Sequence, residues 1–198
     1  MALFSIVRSS AIGYGILLGV AALLGLWQGR LGELFPSPVW PATGVNVLIG
    51  VVLAAGVLSA SAAFRATFEW ARRLEDEFRL LLGDIDVWGA FVLALSSGIA
   101  EEAFFRGVMQ SAFGLTVTSV AFGLLHFPVN RRLIPWTLIA VAMGFVFGVV
   151  YQETSSLLAV ALAHGLINFV ELVGISKAQA GGASGSNKSG NGSSVNGS

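Results

Sequence analysis

Residues 87–110 read VWGAFVLALSSGIAEEAFFRGVMQ. Fourteen uncharged residues precede Glu101; Glu101, Glu102 and Arg106 then arrive within six positions, after which the apolar pattern resumes. A segment of this length and polarity is a membrane-spanning helix, which needs about 20 apolar residues, yet it carries three ionisable groups near its middle. On insertion scales a central charge costs about 2.5–3.5 kcal/mol, so the three together would cost roughly 7–10 kcal/mol if ionised and unpaired. Some feature of the fold must offset that penalty.

The surrounding sequence has the same character. Of 198 residues, 55% are hydrophobic and 11% charged, less than half the roughly 25% charge of a soluble domain. Uncharged runs of 21, 31 and 20 residues lie between Arg8 and Arg30, Glu33 and Arg65, and Arg132 and Glu153. These runs are uniformly apolar rather than alternating, which argues against an outer-membrane barrel. The expected fold class is all-α: a polytopic transmembrane helical bundle in the lipid bilayer. Six spans are expected, at about 9–29, 40–63, 87–110, 115–130, 133–152 and 154–174. Eleven basic residues balance eleven acidic ones, leaving no electrostatic footprint for nucleic acid. No cysteine is present, which excludes disulfides, thiolate metal sites and a thiol nucleophile.

The placement of charge predicts the organisation. Residues 1–63 hold two N-terminal transmembrane helices. Residues 64–86 hold ten of the 22 charges, with Phe64, Phe68, Ala71, Leu74, Phe78 and Leu81 recurring every three or four positions. That pattern predicts an amphipathic interfacial helix. Residues 87–175 form the core that carries the buried charges. In residues 176–198, sixteen of 23 are Gly, Ser or Asn, which predicts a disordered tail. Alternating the loops gathers Arg8, Arg65, Arg72, Arg73, Arg79, Arg131, Arg132, Lys177 and Lys188 on one side against Arg30 on the other. The positive-inside rule then places both termini in the cytoplasm.

Five polar residues stand inside expected spans: Glu101, Glu102, Arg106, His126 and His164. Glu102 and Arg106 lie four apart on one helical face and can pair. Glu101 is rotated about 100° from Glu102 and keeps no partner at that spacing, as suits a proton-handling group facing a wet cavity. Phe122 lies one turn before His126, and Asn168 one turn after His164. No H-E-x-x-H helix and no G-x-S-x-G elbow is present, so the carboxylate is the candidate base. A Glu that activates water, a His that shares the proton, and His plus Asn donors for an oxyanion make a peptide-hydrolysis apparatus. No cofactor is needed for it. Two other readings stay open: a zinc-dependent membrane protease using Glu101, His126 and His164, and a non-catalytic binding or scaffold protein of the same fold. One difficulty accompanies all three. Counted from Val87, Glu101 lies about 21 Å along its helix, whereas His126 is only about 7.5 Å from Arg131.

EEAFFR (101–106), FGLLH (122–126) and HGLIN (164–168) resemble, in order, the EExxxR, FxxxH and HxxxN motifs of the CAAX protease and bacteriocin-processing (Abi) family. The amphipathic stretch ending in LLLGD (80–84) resembles the segment that precedes the first motif there. The resemblance covers about residues 64–175. It implies an intramembrane glutamic endopeptidase of a prokaryotic plasma (inner) membrane, acting on a membrane-associated protein or peptide. It also implies that Glu101 with His126 activates the attacking water and that His164 and Asn168 form the oxyanion hole. Glu102 and Arg106 would support the site or touch substrate, and Phe122 would pack.

Overall fold

The computed structural model describes residues 2–34, 42–83, 85–127 and 130–186. Its helices are α1 (Ala2–Trp27), α2 (Leu31–Leu34), α3 (Ala42–Thr67), α4 (Glu69–Leu82), α5 (Val87–Glu102), α6 (Gln110–Leu125), α7 (Ile134–Thr154) and α8 (Leu157–Ser186). A π-helical segment, Ala103–Met109, joins α5 to α6, and a 3₁₀ turn, Arg131–Leu133, opens α7. No strand occurs among the described residues. The protein is an all-α polytopic bundle.

Five segments are long and apolar enough to cross a membrane: Ile6–Trp27, Ala42–Thr67, Val87–Leu125, Arg131–Thr154 and Leu157–Ser176. The expected spans 87–110 and 115–130 therefore fall in one continuous helical run of 39 residues. Straight, that run would be about 58 Å long. It is not straight, because Gly114 adopts φ 77° and ψ 172°, a conformation closed to side chains with a Cβ. The run folds back there: the Arg106 guanidinium stands 4.7 Å from the centre of the Phe122 ring, sixteen residues away in sequence. One glycine makes the turn where a polar loop is usual, so helix resumes at once on the far side. The returning arm, residues 115–125, is about 16 Å long and cannot cross a hydrocarbon core of about 30 Å. The expected fourth span is thus corrected to a half-length arm.

Close helix contacts hold this hairpin. Helix α7 runs antiparallel to the returning arm, with the Thr137 hydroxyl donating to the His126 carbonyl at 3.3 Å. Gly144 and Gly148 form a G-x-x-x-G step on α7 that lets the backbones meet; a Cβ at Gly144 would lie 2.9 Å from the Ser119 backbone. Gly98 does the same between α5 and α8, where a Cβ would lie 2.9 Å from the Ala161 carbonyl. In lipid, helices associate through such van der Waals contact rather than through the hydrophobic effect. Most of the core is accordingly small side chains (Ala21, Ala54, Ala103, Ala163, Val108 and Val160), packed with Leu34, Phe147 and Leu157. Leu23, Trp88, Leu124 and Leu138 stand exposed on outer faces, which suits contact with lipid tails.

The amphipathic element is shorter than its sequence pattern. Helix α3 continues through Arg65 to Thr67, the backbone breaks at Phe68, and α4 begins at Glu69. Ala71 and Leu74 turn inward, and Phe78 meets Trp136 edge-on at 5.2 Å. Ion pairs fasten it: Arg65 lies 2.9 Å from Glu171 and 3.5 Å from Glu75, and Arg132 lies 2.9 Å from Glu77. Asp86 then caps α5 by accepting from the Gly89 N–H at 2.7 Å. Asp84 of the LLLGD stretch lies outside the described residues. At the other end, α8 continues through Ser186, past the point where the composition predicts disorder. Lys177, Ala178, Gln179 and Ala180 are good helix formers, able to extend a helix already nucleated. Residues 187–198 lie outside the described residues.

Candidate active site

The Gly114 hairpin resolves the mismatch between Glu101 and His126. Measured from the turn rather than from the surface, Glu101 is thirteen residues back and His126 twelve residues on, about 20 and 18 Å. The two therefore sit at one level, and Glu101 Oε2 lies 3.7 Å from His126 Nε2. His126 is the residue at which the returning arm ends. Its Nδ1–H donates to the Phe122 carbonyl at 2.7 Å, which leaves Nε2 as the nitrogen turned to the carboxylate.

Helix α8 supplies the second histidine. His164 lies between the two carboxylates, donating from Nδ1 to Glu102 Oε1 at 2.7 Å and placing Nε2 4.0 Å from Glu101 Oε2. Phe147 stacks on its ring, 5.3 Å away at 24°. Glu102 and Arg106 form the ion pair that their spacing predicts, 3.0 Å from Nε to Oε2, with both residues 0% exposed. Arg106 also donates from Nη2 to the Gly144 carbonyl at 3.1 Å and lies over the Phe122 ring. Phe122 is the hub of an aromatic wall, with Phe105 at 4.9 Å and His126 at 4.6 Å. A π turn at Ala103–Met109 follows directly after the two glutamates; such turns widen the helix and are frequent at functional sites.

The two neighbouring carboxylates thus have different surroundings. Glu102 is held by Arg106 and His164. Glu101 Oε2 is buried without a hydrogen-bond donor among the described residues and faces two imidazole nitrogens. Glu101 and His126 line a cleft of about 310 Å³ together with Tyr14, Leu17, Phe104, Phe105 and Leu125. Tyr14, on α1, directs its hydroxyl at the Glu101 carboxylate. Sequence reasoning missed Tyr14; the available signal was a polar-tipped ring inside an otherwise aliphatic run. Asn168 lies one turn beyond His164 and donates from Nδ2 to Ser97 Oγ at 2.9 Å, a partner that nothing in the sequence singled out. Among the described residues, no group of three or more His, Asp or Glu side chains is arranged to hold a metal ion.

Residues 83–170 match the family described as Type II CAAX prenyl endopeptidase Rce1-like. That stretch, 88 of the 198 residues, contains all three motifs. The chain is also 39% identical over 80 residues to the uncharacterized protein YpbD of Bacillus subtilis (strain 168), an overlap covering 39% of this chain and 41% of that protein. It therefore spans less than half the length of this relative. No solved structure matches the chain.

Proposed function

We propose that the chain is an intramembrane endopeptidase that cleaves a membrane-associated protein or peptide by glutamate-activated hydrolysis, without a metal. The observation that carries this reading is the unsatisfied Glu101 Oε2 facing His126 Nε2 at 3.7 Å in the cleft. Two acceptors so close suit a water molecule that donates a hydrogen bond to each, with its oxygen free to attack. As the C–O bond forms, the water proton passes to Glu101 or His126. It is delivered to the amide nitrogen when the C–N bond breaks.

His164 and Asn168 are the candidates to stabilise the oxyanion. Nδ1–H of His164 is engaged by Glu102, so Nε2 offers a second N–H to the site when the ring is the doubly protonated imidazolium. One Asn168 N–H is occupied by Ser97 and the second remains to donate. Tyr14 holds Glu101 from the side of α1. Charge placement in the sequence supports cytoplasmic termini, since alternating the loops assigns nine basic residues to that side. The family match supports the protease class.

The test is cleavage by the purified full chain in lipid nanodiscs, with substrate found by comparing membrane proteomes of cells carrying wild type or Glu101→Gln. A precursor accumulates in the variant and is cut in vitro by the wild type alone. Full activity of Glu101→Gln would end the proposal. Loss of activity with strong chelators, restored by zinc, would replace the glutamate mechanism with the zinc one.

A further inference from the structure

Next to the Glu102–Arg106 pair, three buried polar side chains that the proposed reaction does not use, Gln110, Thr118 and Ser119, join Arg106 in a polar cluster. Arg106, Gln110, Thr118 and Ser119 are 0, 6, 1 and 1% exposed. Among the described residues, Arg106 Nη1, Gln110 Oε1, Thr118 Oγ1 and Ser119 Oγ have no hydrogen-bond partner. They are not scattered. Arg106 and Gln110 lie four residues apart on the outgoing arm of the Gly114 hairpin. Thr118 lies one turn from Phe122, the ring beneath Arg106, on the returning arm. Ser119 packs on Gly144, the glycine whose carbonyl accepts from Arg106. Gln110 in turn donates from Nε2 to the Gly148 carbonyl at 2.9 Å, and a Cβ at Gly148 would come within 2.9 Å of Gln110 Oε1. Arg106, Gln110 and Ser119 thus meet the glycine face of α7 in one seam, with Thr118 the buried chain neighbour of Ser119.

We propose that this seam binds ordered water. The four unsatisfied groups are a cationic N–H donor, an amide acceptor and two hydroxyls that can do either. This matches water, which gives two hydrogen bonds and accepts two, and buried waters make about three to otherwise unpaired groups. A bare seam would leave four polar groups unsatisfied away from solvent, where each is destabilising. An anion fits less well, because Arg106 is already neutralised by Glu102 at 3.0 Å and the Gln110 oxygen would repel it. The bound water holds the guanidinium, keeping Glu102 aimed at His164. This inference is independent of the proposed reaction.

The test uses the full chain in nanodiscs and reads thermal unfolding without substrate. Thr118→Val preserves shape and removes the hydroxyl, Ser119→Ala removes the other, and Thr118→Ser keeps a hydroxyl while losing a methyl. If water is bound, the first two each lower the midpoint by about 2–4 °C, and Thr118→Ser lowers it by less than Thr118→Val. A lipidic-phase crystal structure of the wild type then shows water within hydrogen-bond distance of at least three of the four atoms. An unchanged or raised midpoint in Thr118→Val overturns the proposal, because deleting an unsatisfied hydroxyl from a dry seam is stabilising. A midpoint that falls when chloride is exchanged for gluconate also overturns it, in favour of an anion.

Discussion

Replacing Glu102 by Gln preserves the shape of the side chain and removes its charge at a site with no solvent exposure. Arg106, equally buried, would lose its counter-ion and keep, among protein groups, the Gly144 carbonyl and the aromatic faces of Phe105, Phe122 and Phe147. Removing one member of a buried ion pair costs about 3–5 kcal/mol, since the remaining charge is left uncompensated. The hydrogen bond from His164 survives in weaker form, because the amide oxygen still accepts. At about 2–4 °C per kcal/mol for a chain of this size, the unfolding midpoint should fall by roughly 6–20 °C. Arg106→Met should be similarly destabilising. The double variant Glu102→Gln/Arg106→Met should recover most of the loss, because an apolar replacement of a whole buried pair is often about neutral. The assay is thermal unfolding in nanodiscs followed by fluorescence of the five tryptophans, arranged as a double-mutant cycle. A coupling of at least about 2 kcal/mol is expected. If the single losses simply add in the double variant, the pair does not hold the site together. A raised KM with an unchanged midpoint would instead make Glu102 a substrate contact.

Two further outcomes follow from the same geometry. Tyr14→Phe should lower kcat about 10–100-fold with little change in KM, since it deletes a hydrogen bond to the charged base and leaves the ring in the cleft; a rise in KM alone would show a substrate-binding role. Asn168→Ala should lower kcat about 10²–10³-fold if its free N–H serves the oxyanion, whereas Ser97→Ala should change it by no more than about tenfold; equal losses in both variants would mean that Asn168 acts only as a helix clasp.

Much of the candidate site was legible in the sequence because membranes penalise charge. Glu101, Glu102, Arg106, His126 and His164 stood out against apolar runs, and helical periodicity alone paired Glu102 with Arg106. Periodicity also separated Glu101 from that pair. The amphipathic helix was visible but its ends were not, since Phe64 and Arg65 fit its pattern as well as they fit the end of α3. Tyr14 and Ser97 were hidden: a tyrosine or serine in a span carries little insertion penalty, and nothing local tells which helix it will face.

Composition and periodicity determined the class of architecture and the short list of chemical groups, because both follow from what each residue loses on leaving water. Only the tertiary structure decided that these groups meet. Glu101 and His126 share a level because one glycine turns the chain back midway between them, and His164 reaches both carboxylates because Gly98 lets α8 approach α5. Those are long-range contacts set by backbone freedom and close packing. Neither leaves a periodic trace in the sequence, so the count of spans came out as five and a half-length arm rather than six.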